Sequence, residues 1–182
     1  DWSSDVCSSD LVSNEKIALS RETEHNERKI LELSKPESFS LYVGIPFCPS
    51  RCSYCSFVMA SIERAEKLIE PYTKLLCEEI KRTAEIANKL GLRLETVYFG
   101  GGTPTTLSAE QLDTVLGTVN NSFDMSTCRE FTVEAGRPDT IDIAKLFALK
   151  ENKVDRISIN PQTVNNEVLK TIGRKRSEEH TS

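Results

Sequence analysis

The feature that most constrains the fold is a strand–loop–helix pattern that repeats four times from residue 40 onward. Runs of apolar residues predict four strands, over 41–47, 96–99, 131–135 and 156–160. The apolar residues between them recur at helical spacing, and the first such helix is predicted from about Pro71 to a stop at Gly91. Strands alternating with helices predict an α/β fold with a parallel sheet. Four units suit a partial (βα) barrel, and a doubly wound sheet is the alternative.

Two local patterns organise the remaining chain. Ser108 and Gln111 have the spacing of a capping box and mark the start of a second helix. A charged stretch over 14–33 is predicted to be helical, and a short linker follows it. We therefore divide the sequence into a helix and linker over 12–39, interpreted as the remnant of an upstream region, and an α/β core over 40–175.

The two ends of the chain are related at the level of codons. The DNA AGA TCG GAA GAG CAC ACG TCT encodes residues 176–182, and its reverse complement encodes residues 5–10 and begins a codon for Leu11. This DNA resembles a common sequencing adapter. We therefore expect 1–11 and 176–182 to be translated adapter scars. The native part would then be a truncated fragment that is inactive by itself.

Composition excludes several classes of protein. Without the two ends, the formal net charge changes from −5 to −1 and five of the six cysteines remain. The sequence has no basic patch typical of nucleic-acid binding and no apolar run long enough to span a bilayer. An odd number of clustered cysteines favours metal binding in a reducing compartment over disulfides. We therefore expect a cytoplasmic protein without a nucleic-acid or membrane partner.

Cys48, Cys52 and Cys55 follow the first predicted strand in the order Cys-x₃-Cys-x₂-Cys. A four-iron, four-sulfur cluster usually takes four cysteine ligands. Three thiolates would leave such a cluster with one ligand fewer from the protein. One iron would then be free to bind another group. The alternatives are three buried thiols or a structural zinc site, which requires a fourth ligand. The candidates for that ligand, none with metal-motif spacing, are His25, Cys77 and Cys128.

Unusual residues also follow the other predicted strands at their carboxyl ends. Parallel barrels bind their ligands at that end, so these residues are expected to meet in one site. They are Tyr54 beside the cysteines, the run Gly100, Gly101, Gly102 and Thr103, and Glu134 and Gln162. Each has a simpler interpretation. The glycines would serve a tight turn, Tyr54 would pack in the core, Gln162 would be solvated, and Glu134 would pair with Arg137 or Arg156.

These motifs resemble radical S-adenosylmethionine (SAM) enzymes, in particular the coproporphyrinogen dehydrogenase branch and its HemZ-type members. The segments that carry the resemblance are 42–48, 98–105, 131–139 and 156–163. The resemblance implies a six-unit barrel with four units present, a four-iron, four-sulfur cluster on the three cysteines, and SAM at the free iron. It also implies a cofactor pocket formed by Tyr42, Tyr54, Gly100, Gly101, Gly102, Thr103, Glu134, Gln162 and Arg174. Arg174 alone would be read as a solvated residue.

The resemblance further implies a reaction and its partners. An electron donor would reduce the cluster, SAM would yield a 5′-deoxyadenosyl radical, and a porphyrinogen propionate would lose hydrogen and carbon dioxide to become a vinyl group. Two positions depart from the well-characterised dehydrogenases, which have histidine where this chain has Gly44 and cysteine where it has Phe57. A haem-carrying branch also lacks that cysteine. A haem chaperone and a radical enzyme with another substrate therefore stay as alternatives.

Overall fold

The computed structural model describes residues 12–57 and 59–174, so the expected adapter-derived ends lie outside the described residues. The chain divides into two compact units at Ser38. In the first unit, helix α1 spans Asn14–Leu31, and its first turn is capped by the Ser13 hydroxyl, which accepts from the Lys16 N–H at 3.4 Å. All described residues of α1 are at least partly exposed, as its charged sequence requires. No helix among the described residues is long and apolar enough to cross a membrane.

The second unit contains the predicted alternation of strands and helices. In chain order its elements are β1 (Ser38–Ile45), β2 (Phe47–Cys48), β3 (Ala60–Ser61), α2 (Ile62–Lys89), β4 (Arg93–Gly101), α3 (Ala109–Ser122), β5 (Glu130–Glu134), α4 (Ile143–Glu151), β6 (Arg156–Ser158) and α5 (Asn166–Thr171). Short 3₁₀ turns follow β4, α3 and β5. The capping box predicted for α3 is confirmed, because both of its hydrogen bonds are present.

The main sheet has the strand order β1-β4-β5-β6, with parallel pairing of β4 with β5 and of β5 with β6. Strand order therefore follows chain order, and helices α2, α3 and α4 each lie in the chain between two neighbouring strands of the sheet. A doubly wound sheet reverses its order part-way, so the structure favours the barrel-type winding. The sheet stays open in the part of the chain that is described, which makes it a partial barrel. The predicted fold class is confirmed.

The two faces of this sheet differ in chemistry because side chains alternate along a strand. Val97 and Phe99 of β4 and Phe131 and Val133 of β5 are almost completely buried and form the outer face, towards the core. Helix α3 contributes four fully buried side chains to the same core, Leu112, Val115, Leu116 and Val119. The opposite, inner face carries polar residues and leads to the carboxyl ends of the strands.

Helix α2 begins earlier than the sequence predicted. It starts at Ile62, and Pro71 lies exposed inside it rather than in its first turn. A proline inside a helix removes one backbone hydrogen bond. Ala65 and Ile69 nevertheless continue the buried face of α2 upstream of the proline, and this packing sustains the extra turns. The predicted stop is confirmed, since Gly91 has a φ of +67° just beyond the last residue of the helix.

Candidate metal centre and cofactor cleft

A cleft at the carboxyl ends of the strands is lined by residues from all four strand–helix loops. Its lining consists of Cys48, Ser50, Cys52, Tyr54, Cys55, Phe57, Met59, Gly101, Gly102, Thr103, Glu134, Gly136, Arg137, Asn160, Gln162 and Arg174. The structure therefore brings together most of the residues that the sequence singled out. Tyr42 and Gly100 are outside this set of described lining residues. Tyr42 is 61% exposed on the inner face of β1, where its ring stacks on Tyr98 with 5.9 Å between centroids.

The three cysteines stand on one wall of this cleft. Cys48 is the last residue of β2, which pairs with β3. Cys48 and Cys52 are each 8% exposed, and Cys55 is half-buried. The Cys48 sulfur lies 3.2 Å from Thr103 Oγ1. Burial raises the pKa of the Cys48 thiol, while the hydrogen bond with Thr103 and the charge of Arg137 act in the opposite direction. A metal binds the deprotonated thiolate, so ligation by Cys48 would have to offset the free-energy cost of deprotonating a buried thiol.

The zinc alternative requires a fourth protein ligand beside the three cysteines. A zinc ion holds four ligands about 2.0–2.3 Å from one point. In the described ranges, no three His, Cys, Asp or Glu side chains are grouped closely enough to hold one ion. An iron–sulfur cluster has a looser requirement, because its thiolates bind different irons. Two proposed fourth ligands lie outside the described cleft lining: Cys77 is buried on α2, and Cys128 donates from Sγ to the Glu130 carbonyl at 3.4 Å.

The glycine segment fits tightly beneath the cysteine loop. Gly101 has a φ of +105°, and a Cβ there would lie 3.0 Å from backbone atoms of Ile45. A Cβ on Gly102 would lie 2.6 Å from the Phe47 carbonyl oxygen and 3.1 Å from the Cys48 sulfur. β4 runs through Gly101, so Gly100 and Gly101 belong to the strand rather than to a turn after it. Gly101 and Gly102 permit a close approach of backbones, and Gly100 leaves room for the ring of Tyr42. The tight-turn interpretation is wrong for Gly100 and Gly101.

Glu134 is the last residue of β5 and reaches the cleft. Its Oε1 accepts a hydrogen bond from the Tyr98 hydroxyl at 2.6 Å, and this bond raises the pKa of Tyr98 to about 12. The two arginines predicted as ion-pair partners pair with other carboxylates within the described structure. Arg137 lies 2.8 Å from an oxygen of Asp139, and Arg156 lies 2.8 Å from Oε1 of Glu130. The ion-pair interpretation of Glu134 is therefore wrong.

Arg174 is not the solvated residue that its sequence position alone predicts. Its Nε donates to the Cys52 sulfur at 3.3 Å, and its Nη1 donates to the backbone oxygens of Gly136 at 3.2 Å and Asn160 at 2.9 Å. The guanidinium thus joins three of the loops that form the cleft. Gln162 lines the cleft and has a positive φ of +66°, which is uncommon for a residue other than glycine.

Tyr54, Arg137 and Ser50 also line the cleft. Tyr54 is 53% exposed, so it is not a core residue and its ring is available to a ligand. Sequence reasoning did not assign Arg137 or Ser50 to the site, although Arg137 is almost fully buried in the cleft wall and donates to Ser50. The sequence feature that could have identified Arg137 is its position: Arg137 and Asp139 directly follow the carboxyl end of the predicted strand over 131–135.

The residues present fit the groups that the sequence resemblance implies. Three thiols of one loop match a cluster with one open iron. Beside them, the carboxylate of Glu134 and the guanidinium of Arg174 offer charges of opposite sign, as an amino-acid ligand with an ammonium and a carboxylate group requires. The exposed ring of Tyr54 provides a surface on which a flat heterocycle can stack.

A one-directional parallel α/β sheet with a three-cysteine loop at the carboxyl end of its first strand defines the class to which this protein belongs. The sequence profile of the Radical SAM superfamily matches residues 42–181, and the chain belongs to that superfamily. The match covers the whole of the cleft described above. Among the relatives, the chain is similar to proteins of the HemN and HemZ type.

Three relatives illustrate this similarity. The chain is 40% identical over 174 residues to the oxygen-independent coproporphyrinogen-III oxidase-like protein HemZ of Bacillus subtilis, covering 94% of this chain and 35% of that protein. It is 41% identical over 147 residues to the heme chaperone HemW of Lactococcus lactis, covering 80% of this chain and 36% of HemW. The solved structure of coproporphyrinogen III oxidase (HemN) from Escherichia coli, described as a Radical SAM enzyme, matches with a TM-score of 0.69 and 28% identity, covering 84% of this chain and 35% of HemN. The chain thus spans about a third of the length of these relatives.

Proposed function

We propose that the full-length protein is a radical SAM oxidoreductase that converts propionate side chains of coproporphyrinogen III to vinyl groups. The observation that carries this proposal is the convergence of Cys48, Cys52 and Cys55 with Glu134 and Arg174 in one cleft. The similarity to HemZ and to the HemN structure supports the choice of substrate. The free cysteines of the described chain agree with a reducing compartment, and we propose a cytoplasmic location with a separate electron donor.

The residues of this chain have distinct roles in the proposal. The three thiolates would hold a four-iron, four-sulfur cluster, and the backbone of Gly101 and Gly102 would let the cofactor approach closely. Glu134 and Arg174 would orient the amino-acid end of SAM, and Tyr54 would pack against its adenine. When bound, the cluster and SAM supply one-electron chemistry that removes a hydrogen atom from the substrate.

The cluster assignment is tested in the full-length protein by replacing each cysteine with alanine. Anaerobic reconstitution followed by iron and sulfide assays should show that Cys48→Ala, Cys52→Ala and Cys55→Ala lose the cluster. Cys77→Ala and Cys128→Ala are matched controls, since both residues lie outside the described cleft lining, and they should keep wild-type iron and sulfide content. An intact cluster in Cys52→Ala would refute the assignment.

A haem chaperone is the second candidate function, and one site residue favours it. Phe57 lines the cleft and is 67% exposed, at the position where the well-characterised dehydrogenases have a further cysteine. A phenyl ring cannot replace the ligating and redox chemistry of a thiolate. The similarity to a protein named heme chaperone HemW agrees with this reading.

Substrate assays separate these candidates. Anaerobic turnover of coproporphyrinogen III to protoporphyrinogen in the presence of SAM and a reductant supports the oxidoreductase. Tight haem binding without such turnover supports the chaperone. Cleavage of SAM to 5′-deoxyadenosine with neither of these results indicates a radical enzyme that acts on another substrate.

A further inference from the structure

Arg137 is a buried cation beside the three-cysteine loop. The residue is 3% exposed, and its guanidinium donates to both carboxylate oxygens of Asp139, from Nε at 3.0 Å and from Nη2 at 2.8 Å. Burying two charges costs free energy, and a buried ion pair is often no more stabilising than apolar side chains of similar volume. Stability alone therefore does not account for this pair.

The remaining nitrogen of the guanidinium connects Arg137 to the cysteine loop. Nη1 donates to the backbone oxygen of Ser50 at 3.2 Å and to its Oγ at 2.9 Å. The Ser50 hydroxyl in turn donates to the backbone oxygen of Gly173 at 3.1 Å. Ser50 lies midway between Cys48 and Cys52 in the sequence. The network therefore ties the cysteine loop both to the loop after β5 and to the turn after α5.

The cysteine loop has little regular structure of its own to fix its conformation. Its described residues 49–57 form only turns, bends and irregular backbone, and Arg51 is exposed within it. A ligand that requires one conformation of such a loop has to order it on binding, at a cost in conformational entropy. A hydrogen bond from a charged donor is among the stronger ones available, so anchoring the loop in advance reduces that cost.

We propose that Arg137, held in place by Asp139, is a positioning residue that anchors the cysteine loop through Ser50 and so prepares the three thiols for cluster assembly. The inference rests on the proposed function for the identity of the ligand. The anchoring itself, however, is a property of the cluster-free chain. Loss of Arg137 should therefore loosen the loop before any metal is present.

The test exchanges the ion pair for apolar side chains of similar size, Arg137→Met with Asp139→Leu, in the full-length protein. The exchange leaves no unpaired buried charge. A matched control, Arg129→Met with Glu95→Leu, makes the same exchange at the other end of β5, where Arg129 Nη2 lies 2.8 Å from Glu95 Oε1. Ser50→Ala is a milder variant, because it removes only the hydroxyl and keeps the ion pair.

Limited proteolysis reports on the loop without any metal, because trypsin cleaves after accessible arginines such as Arg51. We expect cleavage after Arg51 in the cluster-free Arg137→Met/Asp139→Leu variant to be about tenfold faster than in wild type. Ser50→Ala should show a smaller increase and the control none. During anaerobic reconstitution, the Arg137→Met/Asp139→Leu variant should also assemble its cluster more slowly, as followed by iron and sulfide content and by visible absorption.

The outcomes separate this inference from the proposed function. Unchanged cleavage after Arg51 in Ser50→Ala and in the Arg137→Met/Asp139→Leu variant overturns the anchoring role, and so does an equal increase in the control. If the latter variant fails to fold, Ser50→Ala decides the question alone. If the Arg137→Met/Asp139→Leu variant is cleaved faster after Arg51 but assembles its cluster at the wild-type rate, Arg137 does not prepare the three thiols for cluster assembly. A wild-type protein that takes up no cluster refutes the proposed function, whereas faster cleavage in the variants would still support the anchor.

Discussion

The hydroxyl of Tyr98 on β4 donates a hydrogen bond of 2.6 Å to the carboxylate of Glu134 on β5. Tyr98 stands opposite Thr132 in the strand register, so Glu134 lies two residues further along β5 on the same, inner face of the sheet. The bond therefore holds the carboxylate at the end of its strand, where the cleft begins. Fixing a charged group in advance lowers the cost of ordering it when a ligand binds.

We expect Tyr98→Phe to reduce the affinity of the full-length protein for SAM by about tenfold, since a hydrogen bond to a charged group contributes about 1.5–3 kcal/mol. The substitution keeps the ring and its stacking on Tyr42. Isothermal titration calorimetry on the cluster-loaded protein measures the effect. Tyr72→Phe is a matched control, because its hydroxyl donates at 2.5 Å to the Gly44 carbonyl and Tyr72 is not among the described lining residues. Equal affinities in wild type and Tyr98→Phe would contradict the role of the bond.

Glu134→Gln should weaken SAM binding at nearly unchanged thermal stability. Glutamine keeps the size and shape of the side chain and can still accept from the Tyr98 hydroxyl, but it removes the charge. In the described part of the chain, Arg137 and Arg156 pair with other carboxylates, so the substitution breaks neither ion pair. Adding Tyr98→Phe to this variant should cost little further affinity, because the two groups act as one unit. A large fall in melting temperature with unchanged affinity would instead identify a structural role.

The contribution of Tyr98 to stability should depend on pH in the alkaline range. The hydrogen bond to Glu134 raises the pKa of Tyr98 to about 12, with burial and the carboxylate charge acting in the same direction. Its unfolded value is near 10. Because the folded pKa is the higher one, the contribution is fully present below about pH 10 and is lost as the pH rises towards 12.

Denaturant unfolding of wild type and Tyr98→Phe measures this dependence. The difference in the free energy of unfolding between the two proteins should be constant up to about pH 9 and should shrink between about pH 10 and 12. Tyrosines that do not interact with Tyr98 titrate alike in both proteins and so cancel in the difference; Tyr42, whose charge acts on Tyr98, is the exception. A difference that stays constant over the whole pH range would show that folding does not raise the pKa of Tyr98.

The sequence predicted much of this architecture, because the relevant signals are local. The alternation of apolar runs gives the strands and helices, and the carboxyl ends of parallel strands have to meet at one edge of the sheet. Cys48, Glu134 and Gln162 could therefore be assigned to one site across more than a hundred residues of sequence, whereas Arg174 was implied only by the family resemblance. Boundaries were less certain, since β4 continues into the glycines and α2 begins well before Pro71.

What the sequence could not supply depends on tertiary contacts. Pro71 has the local signature of a helix start, but the buried face of α2 extends past it and outweighs that signature. The sequence suggested Arg137 only as an ion-pair partner of Glu134, and only the folded chain shows that Arg137 is buried and donates to Ser50. The pairing of Glu134 with Tyr98 rather than with an arginine likewise depends on strand register.

Gly102→Ala should destabilise the fold and impair cluster uptake. The added Cβ would lie 2.6 Å from the Phe47 carbonyl oxygen and 3.1 Å from the Cys48 sulfur, and the first of these belongs to backbone that cannot rotate away. Overpacking of this kind costs about 1–3 kcal/mol, and relief requires the segment that carries Cys48 to move. Gly117→Ala is the matched control, because its Cβ would meet only Asn152 Oδ1 at 3.5 Å and alanine favours a helix interior by up to about 1 kcal/mol. Denaturant unfolding and iron content of both variants provide the measurement, and Gly102→Ala with the stability and iron content of wild type would show that the backbones do not need this close approach.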